Sequence, residues 1–483
     1  MNRLLYLLCF LPFLTFAQPQ EATLLYNWDD PSLVGSAAYD NAYNEIWGLV
    51  SNDREIAVIG STEGTHFIDV TEPGNMVELR SAFVEGAVTG PSIIHRDYHD
   101  YQCYLYAVAD EGFFSTLQII DISQLPDTTV VLYDSQDLIR QVHNIFIDTA
   151  SAKLYACAVN SSVGYYPLQV YSLADPLNPV LLSSHWSIGG VSIPIIHDIY
   201  VKDDIAYLNG SNDGLLIADF SNQSNPQIIG TLDSYPQQGY NHSGWLSEDG
   251  QTYFLADETH GTGIKSLDVS DPTDITVLDI FNAQSTSNSI PHNLIVRGDY
   301  LYVSYYYDGL QVFDISDPSD VQRVYYYDTY PQSNINSYEG AWGVFPYLPS
   351  GRILISDMQT GLYVFDQVDA NITGELPPLG SANNCENLVS TNIETPIEQS
   401  DIRLVPNPVF SQFQLQIGIT ESESTSIQLF DLTGRLVTNY GNYDLAQGQQ
   451  TLDFHLEGHL PKGMYFLQLQ TANGQQSIKL IKE

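Results

Sequence analysis

Apolar strands that return about every 50 residues, seven times along the chain, predict an all-β fold: a seven-bladed β-propeller followed by a second, small β domain. The third strand of each repeat is the easiest to count. It stands at 65–70 (THFIDV), 117–122 (LQIIDI), 168–173 (LQVYSL), 215–220 (LLIADF), 264–269 (IKSLDV), 310–315 (LQVFDI) and 362–367 (LYVFDQ). The phase of the repeat is the second sign. The seventh copy stops after its third strand, and a surplus strand at 22–30 (ATLLYNWDD) precedes the first copy. That N-terminal strand is expected to complete the last blade, which would hide the edges that an open sheet exposes. Helical periodicity is absent throughout, which is the third sign.

Taken in order, the chain opens with an export signal. Arg3 precedes an apolar run of about a dozen residues, and small residues before Gln18 offer a cleavage site after Ala17, so residues 1–17 read as a signal peptide. Cys9 lies inside the apolar run without small neighbours, which argues against a lipid-anchored cysteine. No later stretch approaches the roughly 20 apolar residues that span a bilayer, so no transmembrane segment is expected.

Residues 18–370 then carry the repeats. Each copy has a histidine-bearing first strand and a second strand rich in Ala, Tyr and Val, such as 104–110 (YLYAVAD) and 300–306 (YLYVSYY). A turn and a more polar fourth strand follow the third. Asp69, Asp121, Asp219, Asp268 and Asp314 recur at the end of the third strand, where a carboxylate can accept hydrogen bonds from nearby backbone N–H groups. Residues 371–400 are rich in Pro, Asn, Ser and Thr and read as a linker, and 401–483 form a second, small β domain.

The formal net charge of −42, with only 16 Lys and Arg, excludes nucleic acid and anionic membranes as partners and favours cations, calcium above all. Disorder is not the source of that charge, because 43% of residues are hydrophobic and 33 are tyrosine. Residues 401–483 hold eight acids and five bases, so nearly all of the negative charge belongs to the remainder. Cys103, Cys157 and Cys385 remain after signal removal, an odd and widely spread set that is no disulfide framework. Cys157, in a strand, is expected to be a buried free thiol.

Two resemblances follow from quoted motifs. The segments 404–417 (LVPNPVFSQFQLQI), 427–437 (IQLFDLTGRLV), 460–470 (LPKGMYFLQLQ) and 477–483 (SIKLIKE) resemble the type A sorting domain of the type IX (Por) secretion system. That resemblance implies a β-sandwich read by the secretion machinery, and a product that is released or attached at the outer-membrane surface. The repeats at 214–222 (GLLIADFSN), 309–318 (GLQVFDISDP), 292–296 (HNLIV) and 197–201 (HDIYV) resemble the LVIVD-repeat group and, in full layout, the choice-of-anchor B family. This implies architecture and surface location; it carries no reaction.

The candidate sites come from what repeats. His95, His143, His197, His242 and His292 open the first strand in five copies, and Trp47 and Trp342 stand in the other two. If that strand is innermost, the histidines ring the channel and can hold a transition metal; the competing reading is that each pins its own blade by a hydrogen bond. Asp110, Glu111, Asp257 and Glu258 follow the second strand, where converging carboxylates suit calcium. No GxSxG, HExxH or Gly-rich phosphate loop is present. The sequence thus predicts a secreted or cell-surface, monomeric propeller that acts as a non-catalytic binding module for a protein or carbohydrate ligand on its rim. The alternative is a metal-dependent hydrolase or lyase with its site at the channel mouth.

Overall fold

The computed structural model describes residues 18–369 except 113, 114, 284 and 336, and residues 403–482 except 408, 420–422, 432–435, 457–459 and 472–473. The signal peptide expected over 1–17 and the linker expected over 371–400 lie outside the described residues. The chain divides into two compact units, residues 1–386 and 387–483.

Among the described residues the first unit is all-β apart from one 3-10 turn at Arg80–Ala82, and its architecture is propeller-like. Each repeat forms an antiparallel sheet whose strands pair in chain order. The first strands are Tyr43–Ser51, Arg96–Tyr101, Asn144–Asp148, Asp198–Lys202, Asn241–Leu246, Leu294–Arg297 and Ala341–Phe345. Each lies against the first strand of the next repeat, and Ala341–Phe345 lies against Tyr43–Ser51. All of them therefore contribute residues to one channel.

Apolar side chains on both faces explain why the sheets stack. Tyr106, Leu117 and Ile119 of the second repeat share a buried cluster with Ile145, Leu154 and Tyr171 of the third. Phe146, Tyr155 and Val170 of the third share one with Ile199, Leu208 and Ala218 of the fourth. Many tyrosine rings are buried in the first unit, among them Tyr98, Tyr106, Tyr155, Tyr253, Tyr302, Tyr305, Tyr306 and Tyr307. The third and fourth strands shift register at the same place in five sheets, for example between Ile119 and Ile120 and between Val312 and Phe313. Such bulges increase the local twist that neighbouring blade-like sheets need.

The recurring aspartates do cap turns. Asp69, Asp121, Asp219, Asp268 and Asp314 each accept a hydrogen bond from the backbone N–H two residues on, at 2.8–3.0 Å. The N-terminal strand Leu24–Trp28 pairs antiparallel with Gly361–Phe365 of the last repeat, and Asn27 adds side-chain bonds to the carbonyls of Thr360 and Leu362. A shorter piece, Gln20–Glu21, adds parallel to Gln322–Tyr327 of the repeat before it. Cys157 is a buried free thiol, and Cys103 is disulfide-bonded, a pairing that the spread of cysteines did not reveal.

The second unit contains a three-stranded sheet of Arg403–Val405, Gln412–Ile419 and Gly448–His455, and a four-stranded sheet of Leu436–Leu445, Glu423–Asp431, Gly463–Thr471 and Gly474–Lys482. Leu415 and Phe454 of the first sheet share one apolar cluster with Leu429, Leu467 and Leu480 of the second.

Candidate functional site at the channel mouth

His95, His143 and His197 immediately precede their first strands, His292 lies two residues ahead, and His242 is the second residue of its strand. This common placement turns the five imidazoles into one ring. Successive ring centres are 5.1 Å (His95–His143), 4.1 Å (His143–His197), 4.1 Å (His197–His242) and 4.3 Å (His242–His292) apart. Trp342 closes it, 4.6 Å from His292 and 5.1 Å from His95. The ring borders a cavity of about 250 Å³, with Tyr39, Tyr306, Tyr338 and Glu258 also in its wall.

Trp47 does not belong to this ring, contrary to its position in the repeat. Its strand shifts register between Tyr43 and Ile46, and the indole lies one layer deeper, against His99 (4.5 Å) and Phe345 (5.0 Å). There its N–H donates to Asp100 at 2.8 Å.

The ring divides into pinned and unpinned members. His95 bonds through Nδ1 to Glu111, His143 through Nδ1 to Asp110 at 2.8 Å, and His292 through Nδ1 to the Trp342 carbonyl at 2.6 Å. The Nδ1 atoms of His197 and His242 are buried without a partner. Burial lowers both of these imidazoles well below the usual histidine range, and the neighbouring rings add to the shift. Burial likewise takes His292 down to about 3. Burial pulls His143 in the same direction, but its bond to Asp110 and that carboxylate's charge win and raise it. One ring thus holds a cationic-leaning imidazole beside neutral ones.

Below the ring lies a polar layer formed by the residues that follow it: Glu45, Asp97, Asn144, Asp198 and Asn293. Asn293 donates to Glu45 at 2.9 Å across the channel, and Asp97 accepts from the backbone N–H groups of Tyr98 (2.8 Å) and Ile145 (2.6 Å). Burial pushes Asp97 up to about 7 and Asp198 up to about 8, and it raises Glu45 well above the usual carboxylate range with help from Asp97. A raised carboxyl favours folding most below the unfolded value near 4, and this contribution is lost as pH rises through the folded value. Asp198→Asn should therefore lose less stability than the wild type between pH 5 and pH 8, and gain about 1–3 kcal/mol at the upper end. Urea unfolding at the two pH values checks this, since all five tryptophans lie in the first unit. An unchanged pH slope would refute it.

The four acids expected to gather around calcium do not gather. Asp110 and Glu111 are taken up by His143 and His95, and Glu111 also accepts the backbone N–H groups of Ile94 and His95. Asp257 turns inside its sheet, where Lys265 (2.5 Å), the Tyr235 hydroxyl (2.8 Å) and the Gly239 N–H (3.0 Å) occupy its oxygens. Glu258 alone faces the cavity; the Tyr306 hydroxyl donates to it at 2.6 Å, and burial pushes it up to about 7. The reason is geometric: adjacent residues leaving a strand point to opposite sides. Sequence reasoning missed Glu45, Asp97 and Asp198. The polar residue after histidine in HNI, HDI and HNL is visible in the sequence, but Glu45 follows no histidine.

A propeller-like fold of β repeats with a histidine-lined channel mouth, joined to a separate small β domain, defines the class. Comparison with known families makes this specific. The LVIVD repeat matches residues 196–234 and 291–329, and the secretion system C-terminal sorting domain matches residues 403–483. The chain thus carries LVIVD repeats and a type IX sorting domain, and the latter marks it as secreted or attached at the outer-membrane surface. Comparison with curated proteins gives no match. Among solved structures it is similar to a protein from Lactobacillus plantarum, at 14% identity and a TM-score of 0.45, covering 82% of this chain and 95% of that one. It is also similar to the β-propeller domain of Myceliophteria thermophila Cps50 (Swd1), at 10% identity and a TM-score of 0.47, covering 71% and 99%. The C-terminal WD40 domain of Sif2 aligns at 11% identity and a TM-score of 0.45, covering 70% and 100%. No helix among the described residues is long and apolar enough to cross a membrane.

Proposed function

We propose that this chain is an exported, monomeric seven-bladed propeller, its last blade completed by the N-terminal strand, followed by a linker and a C-terminal β-sandwich that delivers it to the type IX machinery. The propeller (18–370) is a non-catalytic binding module, and its ligand enters the channel mouth. One observation carries this reading: five imidazoles and Trp342 from six repeats meet around a single cavity of about 250 Å³. A cavity of that size takes one sugar unit or one side chain rather than a whole macromolecule. The aromatic wall of Tyr39, Tyr306, Tyr338 and Trp342 suits the faces of a neutral sugar, and the negative charge of −42 disfavours anionic glycans. The ligand is therefore the end unit of a neutral glycan. In calorimetric titration with neutral oligosaccharides, Tyr338→Ala should weaken binding by about 0.5–1.5 kcal/mol through loss of ring contact. Binding that is absent in the wild type, or indifferent to this change, would sink the reading.

A second reading, a metal-dependent hydrolase or lyase at the same mouth, is favoured by Glu258. A buried carboxyl at about 7, held by Tyr306, is poised to exchange a proton near neutral pH. Turnover of a bound glycan that disappears in Glu258→Gln would select this reading over simple binding.

A further inference from the structure

His197 and His242 are the two ring members whose Nδ1 atoms are buried and bond to nothing, and His242 is only 4% exposed. Leaving such a group unsatisfied costs about 1–3 kcal/mol, so its persistence calls for a partner. Glu258 stands opposite. One nitrogen of each ring and one Glu258 oxygen lie within 4.8 Å of one another. We propose that His197, His242 and Glu258 hold a divalent first-row transition-metal ion of the zinc class, with its fourth position open to the cavity.

The donor set selects the ion. Two imidazoles and one carboxylate suit zinc, with bonds of about 2.0–2.2 Å and a tetrahedral arrangement that three protein ligands leave incomplete. Calcium takes six to eight oxygens and has no use for imidazole nitrogen. Hydrogen bonding also sorts the ring. His95, Asp110 and His143 come within 4.8 Å of one another as well, but Nδ1 of His143 is already bonded to Asp110 at 2.8 Å and Nδ1 of His95 to Glu111. Around the chosen three, the Tyr306 hydroxyl bonded to Glu258 orients the carboxylate, as outer partners of metal ligands do. The open fourth position faces the same cavity that the proposed ligand enters, yet the metal site rests on its own geometry and stands or falls apart from glycan binding.

The exported full-length protein, stripped with a chelator and titrated with Co²⁺ and then Zn²⁺, tests this. The expected result is one Co²⁺ per chain with the strong visible absorption of a tetrahedral site, displaced by Zn²⁺, and a higher melting temperature in excess Zn²⁺. His197→Gln and Glu258→Gln should each weaken Zn²⁺ binding by more than the roughly 10–100-fold that outer-shell changes cost, while His95→Gln leaves it unchanged. The wild-type Co²⁺ spectrum decides the matter even if a variant fails to fold. Absence of that spectrum in the wild type, or its loss in His95→Gln with retention in the other two, would overturn the assignment.

Discussion

Lys265→Met should destabilise the first unit by about 3–5 kcal/mol, the usual consequence of leaving a buried charge without its partner. Lys265 and Asp257 are both fully buried, 0% exposed, and their charged atoms are 2.5 Å apart. The ammonium also donates to the Gln237 carbonyl at 2.8 Å, so its removal frees two acceptors at once. Burial lowers Lys265 below the usual lysine value, and the Asp257 charge opposes that shift, so the pair survives by mutual support. The double variant Lys265→Met with Asp257→Asn should recover much of the loss, because the amide carries no charge, its oxygen can still accept from the Gly239 N–H, and its NH2 can donate to the Tyr235 hydroxyl oxygen. Urea unfolding followed by tryptophan emission measures both. A single variant that costs less than about 1 kcal/mol would show that the pair is solvated and the sheet interior looser than described.

Removal of residues 403–483 should abolish export beyond the outer membrane and leave the first unit folded behind it. The sorting-domain match, residues 403–483, lies within the separate unit 387–483, whose apolar core is built from Leu415, Leu429, Phe454 and Leu467. Its two sheets complete their pairing without strands from the first unit among the described residues. Fractionation of cells that express the truncated and the whole chain reads the outcome. Undiminished appearance of the truncated chain at the surface or in the medium would contradict the sorting role.

The elements were legible in the sequence because strand alternation and turn chemistry are local. The aspartates at 69, 121, 219, 268 and 314 announce their hydrogen bonds by position alone, and the surplus strand at 22–30 finds the sheet that lacks one. The site was legible only in part. Five histidines could be lined up by repeat, and they do meet. Trp47 could not be placed by the same rule: Glu45 is the residue its strand turns into the channel, and Trp47, two residues on, lies deeper against His99 and Phe345. Nor did the two acidic pairs reveal their difference. Asp110 and Asp257 follow similar strands, yet Lys265 draws Asp257 inward, whereas Gln118 and Gln311 stand at the matching position in two other repeats. Side-chain partners brought together from distant repeats carry no local signal.

Five histidines share one ring with unequal partners, and nuclear magnetic resonance of the metal-free protein with ¹⁵N-labelled histidine reads each imidazole directly. Single His→Gln variants assign the signals. His197 and His242 should stay neutral well below pH 6.5, His292 down to about 3, and His143 should remain protonated above 6.5 through its bond to Asp110. Titration of these four imidazoles together near 6.5, as exposed side chains do, would contradict the ring and the site built on it.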